Sequence, residues 1–287
     1  MIVEKAYAKL NIGLDIIGKM SDGYHSIDTI MQTIELHDLV TADRIPSGIL
    51  INCSKPDIPT DSRNTVYRAA EVFFAKSVLN TDMTGVRFHI EKNIPVQAGL
   101  GGGSSDAAAA LRALNSLFCT GYGTDELIEL ASKVGSDVPF LIEGGTMRAR
   151  GRGEQLEKMK DFKGISTVIV MPGESVSTPM AYSLFSGCKN PRHPDMDSLV
   201  QAIENMNVPF PDTQDMNTFE SLIFPLKPLI EKAKHAILET NPFFCTMTGS
   251  GSAVYGFYRS EEDATKAYEV LSGRYDAYLT RTTGGVF

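Results

Sequence analysis

The chain has 287 residues, with 27 Lys and Arg against 35 Asp and Glu, so its formal net charge is −8. That acidic balance argues against a general nucleic-acid binder, which needs basic surface to neutralise phosphates, although the local field of a pocket can still attract a small anion. Hydrophobic residues make up 43% of the chain, enough to bury a core without disulfide or metal staples, and no stretch approaches the roughly 18 apolar residues of a membrane span.

The N-terminal run MIVEKAYAKLNIGLDIIG has charges and Asn inside its apolar pattern, so it reads as a strand and not as a signal peptide. Residues 2–10 alternate, and 12–17 continue the apolar character. Residues 27–36, 48–53 and 86–90 carry the period-two pattern of further strands. Between them, 64–77 predicts a helix with Val66, Ala69, Ala70, Phe73 and Phe74 on one face and Asp61 or Asn64 as cap. Residues 105–118 predict a second helix, with Ala110, Leu111, Leu114, Leu117 and Phe118 as its stripe. A third, 125–134, has acidic residues in its first turn and Gly135 just beyond its end. The charged, glycine-containing run 151–165 reads as a connection, with a domain boundary near Met159 that divides the chain into 1–158 and 159–287.

Beyond the boundary, 166–171 predicts a strand ended by Pro172 and Gly173. Residues 187–195 read as a loop, and helices are expected at about 197–206 and 226–239, with Pro225 and Pro228 fixing the start of the latter. A strand at 253–258 precedes a helix opened by a capping box at Ser260–Asp263 and running through Leu271. A last strand lies near 276–281. The whole reads as an α+β structure in layers. Cys53, Cys119, Cys188 and Cys245 are scattered, and no histidine cluster completes a zinc site, so four reduced thiols in a cytoplasmic protein are expected.

The chemistry concentrates in Pro95-Val96-Gln97-Ala98-Gly99-Leu100-Gly101-Gly102-Gly103-Ser104-Ser105, between a strand and an alanine-rich helix. Four glycines in five residues cost more backbone entropy than a plain turn warrants, and they let amides approach a ligand closely. A helix start adds free N–H groups and the positive end of the macrodipole, and two serines add hydroxyls. This is a phosphate cradle. It is neither a P-loop, since no lysine follows the glycines, nor a dinucleotide fingerprint, since Ser104 replaces the last glycine. A second glycine-rich segment, Met247–Ala253, reads by itself as a β-turn. Paired with the first, it could close a phosphate site from the other domain.

Three segments together, Ala8-Lys9-Leu10-Asn11, Pro95–Ala107 and Met247–Ala253, resemble in order and spacing the motifs of the GHMP small-molecule kinases, over nearly the whole chain. Asp22-Gly23-Tyr24-His25 and Gly135-Ser136-Asp137-Val138-Pro139-Phe140 place the resemblance in the branch whose acceptor carries a cytidine diphosphate. The resemblance implies an S5-like N-terminal domain and a ferredoxin-like C-terminal domain. It implies ATP-dependent phosphorylation of a 2-hydroxyl on a cytidyl-diphosphate sugar alcohol in non-mevalonate isoprenoid synthesis, with Mg²⁺ accompanying ATP. Asp137 would then be the general base and Lys9 the group that polarises the hydroxyl, with Asn11 on the same strand face bonding the substrate. Tyr24 and Tyr182 would pack on either side of the cytosine while His25 reads its edge. Residues Pro95 to Ser105 would hold the ATP phosphates, and Asn64, Thr65 and Val66 would lie near the adenine. No metal ligand is assigned, and a homodimer is compatible with the sequence.

From the residues alone, Lys9 reads as an exposed strand lysine, Asp137 as a helix cap, and Tyr24-His25 as a surface loop. A different alcohol acceptor, or a non-catalytic nucleotide- or RNA-binding module, are the competing functions. Tyr24-His25 argues against the first, and the acidic balance with the joint presence of Lys9 and Asp137 against the second.

Overall fold

A computed structural model describes residues 1–77, 84–206, 210–211 and 216–286, folded into two sheets with helices packed on them. The first sheet is built on one long antiparallel pair. β1 (Ile2–Lys19) runs beside β2 (His25–Ile45), so the segments that alternation marks as separate strands belong to two long ones. Register slips between Tyr7 and Lys9, between Asn11 and Gly13, and between Ile16 and Gly18. Such bulges re-aim neighbouring side chains, and Lys9 to Asn11 lie in the regular stretch between two of them.

The other edge of β2 is shared. Its second half pairs with β4 (Gly85–Glu91) and its first half with β5 (Thr146–Gly151). β3 (Gly48–Cys53) runs parallel to β4, and β6 (Gln155–Lys158) runs antiparallel to β5. β6 occupies part of the run that the sequence presents as a connection. Its charges hide it, and one of them is used across the sheet, where Glu157 pairs with Arg150 on β5.

Four helices cover one face: α1 (Thr65–Lys76), α2 (Gly102–Phe118), α3 (Thr124–Ser132) and α4 (Val138–Glu143). α1 buries the five predicted apolar residues, and the Asn64 side chain caps it by accepting from Val66 N. α2 begins three residues before the predicted start, taking Gly102 and Gly103 into its first turn. Its Ala107–Ala110 run is fully buried, because the helix lies between the sheet and its neighbouring helices and only small side chains fit on every side.

The second sheet contains β7 (Ser166–Met171), β8 (Phe244–Met247), β9 (Val254–Tyr258) and β10 (Asp276–Arg281), antiparallel throughout, in the order β10-β7-β9-β8. Helices α5 (Thr178–Gly187), α6 (Met196–Glu204), α7 (Glu220–Ile223) and α8 (Pro228–Leu238) precede β8, and α9 (Glu261–Ser272) joins β9 to β10. This is the split βαβ arrangement of ferredoxin-like domains. Ser260 caps α9 by accepting from Asp263 N, as its sequence predicts. α5 and β8 were not predicted; β8 is only four residues long and all four are buried, so it shows no alternation.

The sheets meet in one apolar cluster. Ala8, Leu10, Ile12, Ile30 and Ile34 of the first pack with Ile169, Phe244, Tyr255 and Phe257 of the second. The chain end returns across this junction, where Thr283 N donates to Thr33 O (2.9 Å) and Val286 N to Glu143 O (2.7 Å). Among the described residues, no helix is long and apolar enough to cross a membrane.

Candidate active site

A cleft of about 830 Å³ opens where α2, β1 and the second domain converge. Its floor is the glycine-rich loop. Gly99 (φ 78°) and Gly101 (φ 72°) adopt left-handed backbone, and each lies against a neighbour that leaves no room for a side chain. A Cβ on Gly99 would sit 2.3 Å from Thr248 O, and one on Gly101 2.9 Å from Lys9 Cγ. The loop runs into α2, whose first turn brings Gly102, Gly103 and Ser104 to the cleft wall with the unpaired N–H groups of a helix start.

Two residues expected here as ATP contacts are used elsewhere. Val66 is fully buried in the core beneath α1, and its N–H bonds the Asn64 cap. Ser105 is buried, with its hydroxyl donating to Gly101 O (3.0 Å), because it follows the loop by a full helical turn. Asn64 does line the cleft, but its Nδ2 donates to Pro59 O (2.6 Å) and its Oδ1 serves the cap. Pro95 to Ser104 all line the cleft.

Lys9 is only 4% exposed, unlike the surface lysine that strand alternation suggests. The glycine-rich loop covers its side of β1, with Gly101 lying against the aliphatic stem of the lysine, and burial of an ammonium requires partners. Nζ donates to Asn11 Oδ1 (2.6 Å) and lies 3.5 Å from Asp137 Oδ2. Asn11 is oriented in turn by Nδ2 donating to Thr29 Oγ1 (2.8 Å), whose hydroxyl donates to Gly13 O (2.6 Å). Asp137 occupies the N-cap position of α4, yet its side chain makes no capping bond and points instead to Lys9. Pro139 fixes the entry to that short helix. Lys9, Asn11 and Asp137, far apart in sequence, thus form one charged, hydrogen-bonded group beside the loop.

Beneath the loop lies a second buried group. Lys92 Nζ donates to carboxylates of both Asp38 and Asp106. Burial pushes the Asp106 carboxyl above its ordinary range, Lys92 pulls it down and Asp38 adds to the rise. The opposite end of the cleft is aromatic. His25 stacks on Tyr182 with ring centroids 4.8 Å apart, Nε2 within 3.0 Å of Ser186 Oγ, and Phe219 meets Tyr182 edge-on. Partial burial, with Lys19 adding, lowers the His25 pKa, which leaves the imidazole neutral at pH 7 with one donor and one acceptor. Burial, reinforced by the negative charge of Asp137, raises Tyr182 to about 12. Tyr24 is exposed and lies under the Arg152 guanidinium, which also pairs with Asp22. The sequence expectation sets Tyr24 opposite Tyr182 with His25 at a base edge; here His25 lies face-on to Tyr182 and Tyr24 faces Arg152.

Sequence reasoning overlooked Lys92, Asp106, Thr29 and Arg152, all of which line the cleft. Asp106 was legible in principle as the residue directly after the serines, but nothing local marks Lys92 or Arg152 among ordinary charges. Among the described residues no three His, Cys, Asp or Glu side chains gather as a metal site, and all four cysteines are free.

Residues 64–145 match the model of the GHMP kinase N-terminal domain and residues 189–277 that of the GHMP kinase C-terminal domain. The chain belongs to the GHMP kinase family. It is a small-molecule kinase. Its relatives include the 4-diphosphocytidyl-2-C-methyl-D-erythritol kinases of Clostridium botulinum strain Alaska E43, 42% identical over 97% of this chain and 99% of that one, and of Acetivibrio thermocellus, 38% identical over 97% and 98%. A crystal structure of 4-(cytidine 5′-diphospho)-2C-methyl-D-erythritol kinase superposes with a TM-score of 0.84 at 30% identity, covering 99% of this chain and 100% of that one. The homoserine kinase of Cytophaga hutchinsonii shares the fold, with a TM-score of 0.73 at 18% identity over 97% of this chain and 95% of that one.

Proposed function

We propose that this GHMP kinase transfers the γ-phosphoryl group of ATP to the 2-hydroxyl of 4-diphosphocytidyl-2-C-methyl-D-erythritol, a step of isoprenoid precursor synthesis in the cytoplasm. The observation that carries the reading is the buried Lys9, 3.5 Å from Asp137, set between a phosphate-cradling loop and an aromatic pocket. The acceptor hydroxyl lies at this pair. Asp137 takes its proton as the oxygen bonds the γ-phosphorus, and the bond from that phosphorus to the β,γ-bridging oxygen breaks to release ADP. Lys9 stabilises charge on the transferring group, and Asn11 fixes the direction of the lysine and bonds the acceptor. Phosphoryl transfer is mostly positioning and charge stabilisation, which a rigid strand and a helix start supply.

The amides of Gly99 to Ser104 hold the phosphates, with the adenine toward Asn64 and Thr65. Mg²⁺ keeps several waters and binds mainly phosphate oxygens, so it asks for few protein ligands; the Ser104 hydroxyl and the Asp137 carboxylate are oxygen donors of the kind it takes, and it would neutralise charge on the phosphates. The cytosine takes a place among Tyr24, His25 and Tyr182, where a neutral imidazole can read its donor and acceptor edge. We divide the chain into 1–158 and 159–287; in support, the first sheet ends at Lys158 and the second begins at Ser166.

Replacing Asp137 by Asn keeps the shape and removes the base. Turnover of the cytidyl substrate, followed by ADP release, is expected to fall by roughly 10²–10⁴-fold while ATP binding persists. Undiminished turnover would remove Asp137 from the reaction, and turnover of another alcohol in place of the cytidyl substrate would overturn the acceptor assignment.

A further inference from the structure

The segment 216–220 lies where three parts of the site meet. Its backbone pairs with β1 just beyond Lys9 and Asn11: Leu14 N donates to Met216 O (2.9 Å) and Thr218 N to Leu14 O (2.9 Å). The Thr218 hydroxyl donates to Asp15 Oδ1 (3.0 Å). Phe219 reaches the cleft and meets Tyr182 edge-on, with centroids 5.1 Å apart.

Two buried side chains of the same segment grip the second glycine-rich loop. Asn217 Nδ2 donates to both Met247 O and Gly249 O (2.8 Å each), while Oδ1 accepts from Phe219 N (3.0 Å). Both amide hydrogens and the oxygen are engaged, so the orientation of the amide is fixed. Glu220 Oε1 accepts from Met247 N (2.8 Å) and Thr246 Oγ1 (3.1 Å), and Oε2 accepts from Lys234 Nζ (2.7 Å). The loop so held braces the phosphate loop and the acceptor group together. Thr248 Oγ1 donates to Gly99 O (3.3 Å) and accepts from Asn11 N (3.0 Å), and Ala253 N donates to Ala98 O (3.1 Å).

We propose that Asn217, supported by Glu220, is a positioning residue that sets the phosphate loop against the acceptor group by fixing the 247–251 loop. Neither side chain lines the cleft, so both act through Thr248 and Gly249. The proposal rests on the kinase reading above in its turnover arm.

Asn217→Asp tests it selectively. The aspartate keeps the acceptor for Phe219 N but loses both donors to the loop, and it turns an oxygen toward two carbonyls. Because small misplacements of a reacting group are costly, KM for ATP is expected to rise about fivefold and kcat to fall about tenfold, with KM for the cytidyl substrate within about twofold of wild type. Amide hydrogen exchange should quicken in 247–253 and in 98–101. Glu220→Gln should give the same pattern at smaller size, which keeps the test open if the aspartate variant folds poorly. Phe219→Leu should do the reverse, raising KM for the acceptor and leaving KM for ATP in place. A lowered melting temperature with unchanged KM values, kcat and exchange at 98–101 would reduce Asn217 to packing and overturn the proposal. Binding of a fluorescent ATP analogue and the exchange measurement need no acceptor. If wild type fails to turn over the cytidyl substrate, the function falls while these two arms still decide the role of Asn217.

Discussion

Lys9 shows how a residue changes meaning between sequence and fold. Alternation places it on a strand face, and a lone strand lysine is ordinarily solvated. The glycine-rich loop covers that face, and the lysine keeps its place through Asn11 and Asp137. Tyr182 is a comparable case at the other end of the cleft. Nothing in its helix marks it, yet it is the ring against which His25 and Phe219 pack. Stacking a base on an aromatic ring is worth about 1–3 kcal/mol, so Tyr182→Leu is expected to raise KM for the cytidyl substrate by roughly 5- to 150-fold. KM for ATP should hold steady. Steady-state kinetics with each substrate varied would show this, and an unchanged acceptor KM would take Tyr182 out of the base site.

At the scale of elements, α2 carries the phosphate loop at its head and a buried carboxylate one turn in. Gly102 and Gly103 enter the helix because its first turn needs no side chains on the cleft side, and the alanine run that follows lets it sink into the sheet. Burial raises the Asp106 pKa, Lys92 opposes that rise and Asp38 adds to it. The folded protein therefore keeps this proton to a higher pH than the unfolded chain, whose carboxyl titrates near pH 4. The stabilisation from this group is full below that point and is lost as pH climbs through the folded value. The unfolding free energy of wild type minus that of Asp106→Asn should therefore fall between pH 4.5 and 7.5 in urea titrations. A flat difference would show that Asp106 titrates normally. The elements that sequence patterns revealed are plainly periodic, as α1 is, or a continuous apolar run bounded by a turn signal, as β7 is. β6 and β8 escaped because they are four residues long, one charged and the other buried throughout, and α5 because it buries only Ala181 and Phe185, too few for a stripe to register.

At the scale of the molecule, the two sheets share one apolar junction, and the catalytic group sits at its rim. Ala8, Leu10, Ile12, Ile30 and Ile34 have their partners in the second sheet. A fragment of residues 1–158 would leave that face in water. It is expected to lack a cooperative unfolding transition and to associate, as thermal circular dichroism and light scattering would report. A soluble monomeric fragment that melts cooperatively would show that the first unit folds alone and that the junction only docks it.

The sequence by itself determined what local chemistry can encode: the glycine-rich loop before an alanine helix, the caps of α1 and α9, the strands 48–53, 166–171 and 276–281, and the motif set that marks the family. These are properties of neighbouring residues, where backbone freedom, capping and periodicity act over a few positions. Only the tertiary structure decided which charges are buried and which face solvent. Lys9, Lys92 and Arg152 are alike as letters. They differ because the glycine-rich loop buries Lys9 beside Asp137, β2 and the head of α2 bury Lys92 between Asp38 and Asp106, and Arg152 stays at the surface between Asp22 and the Tyr24 ring. It also decided that Met247–Ala253, a plain turn by sequence, leans on Gly99 through contacts about 150 residues away in the chain. Long-range packing sets the dielectric and the partners of a charge, and no local pattern contains that information.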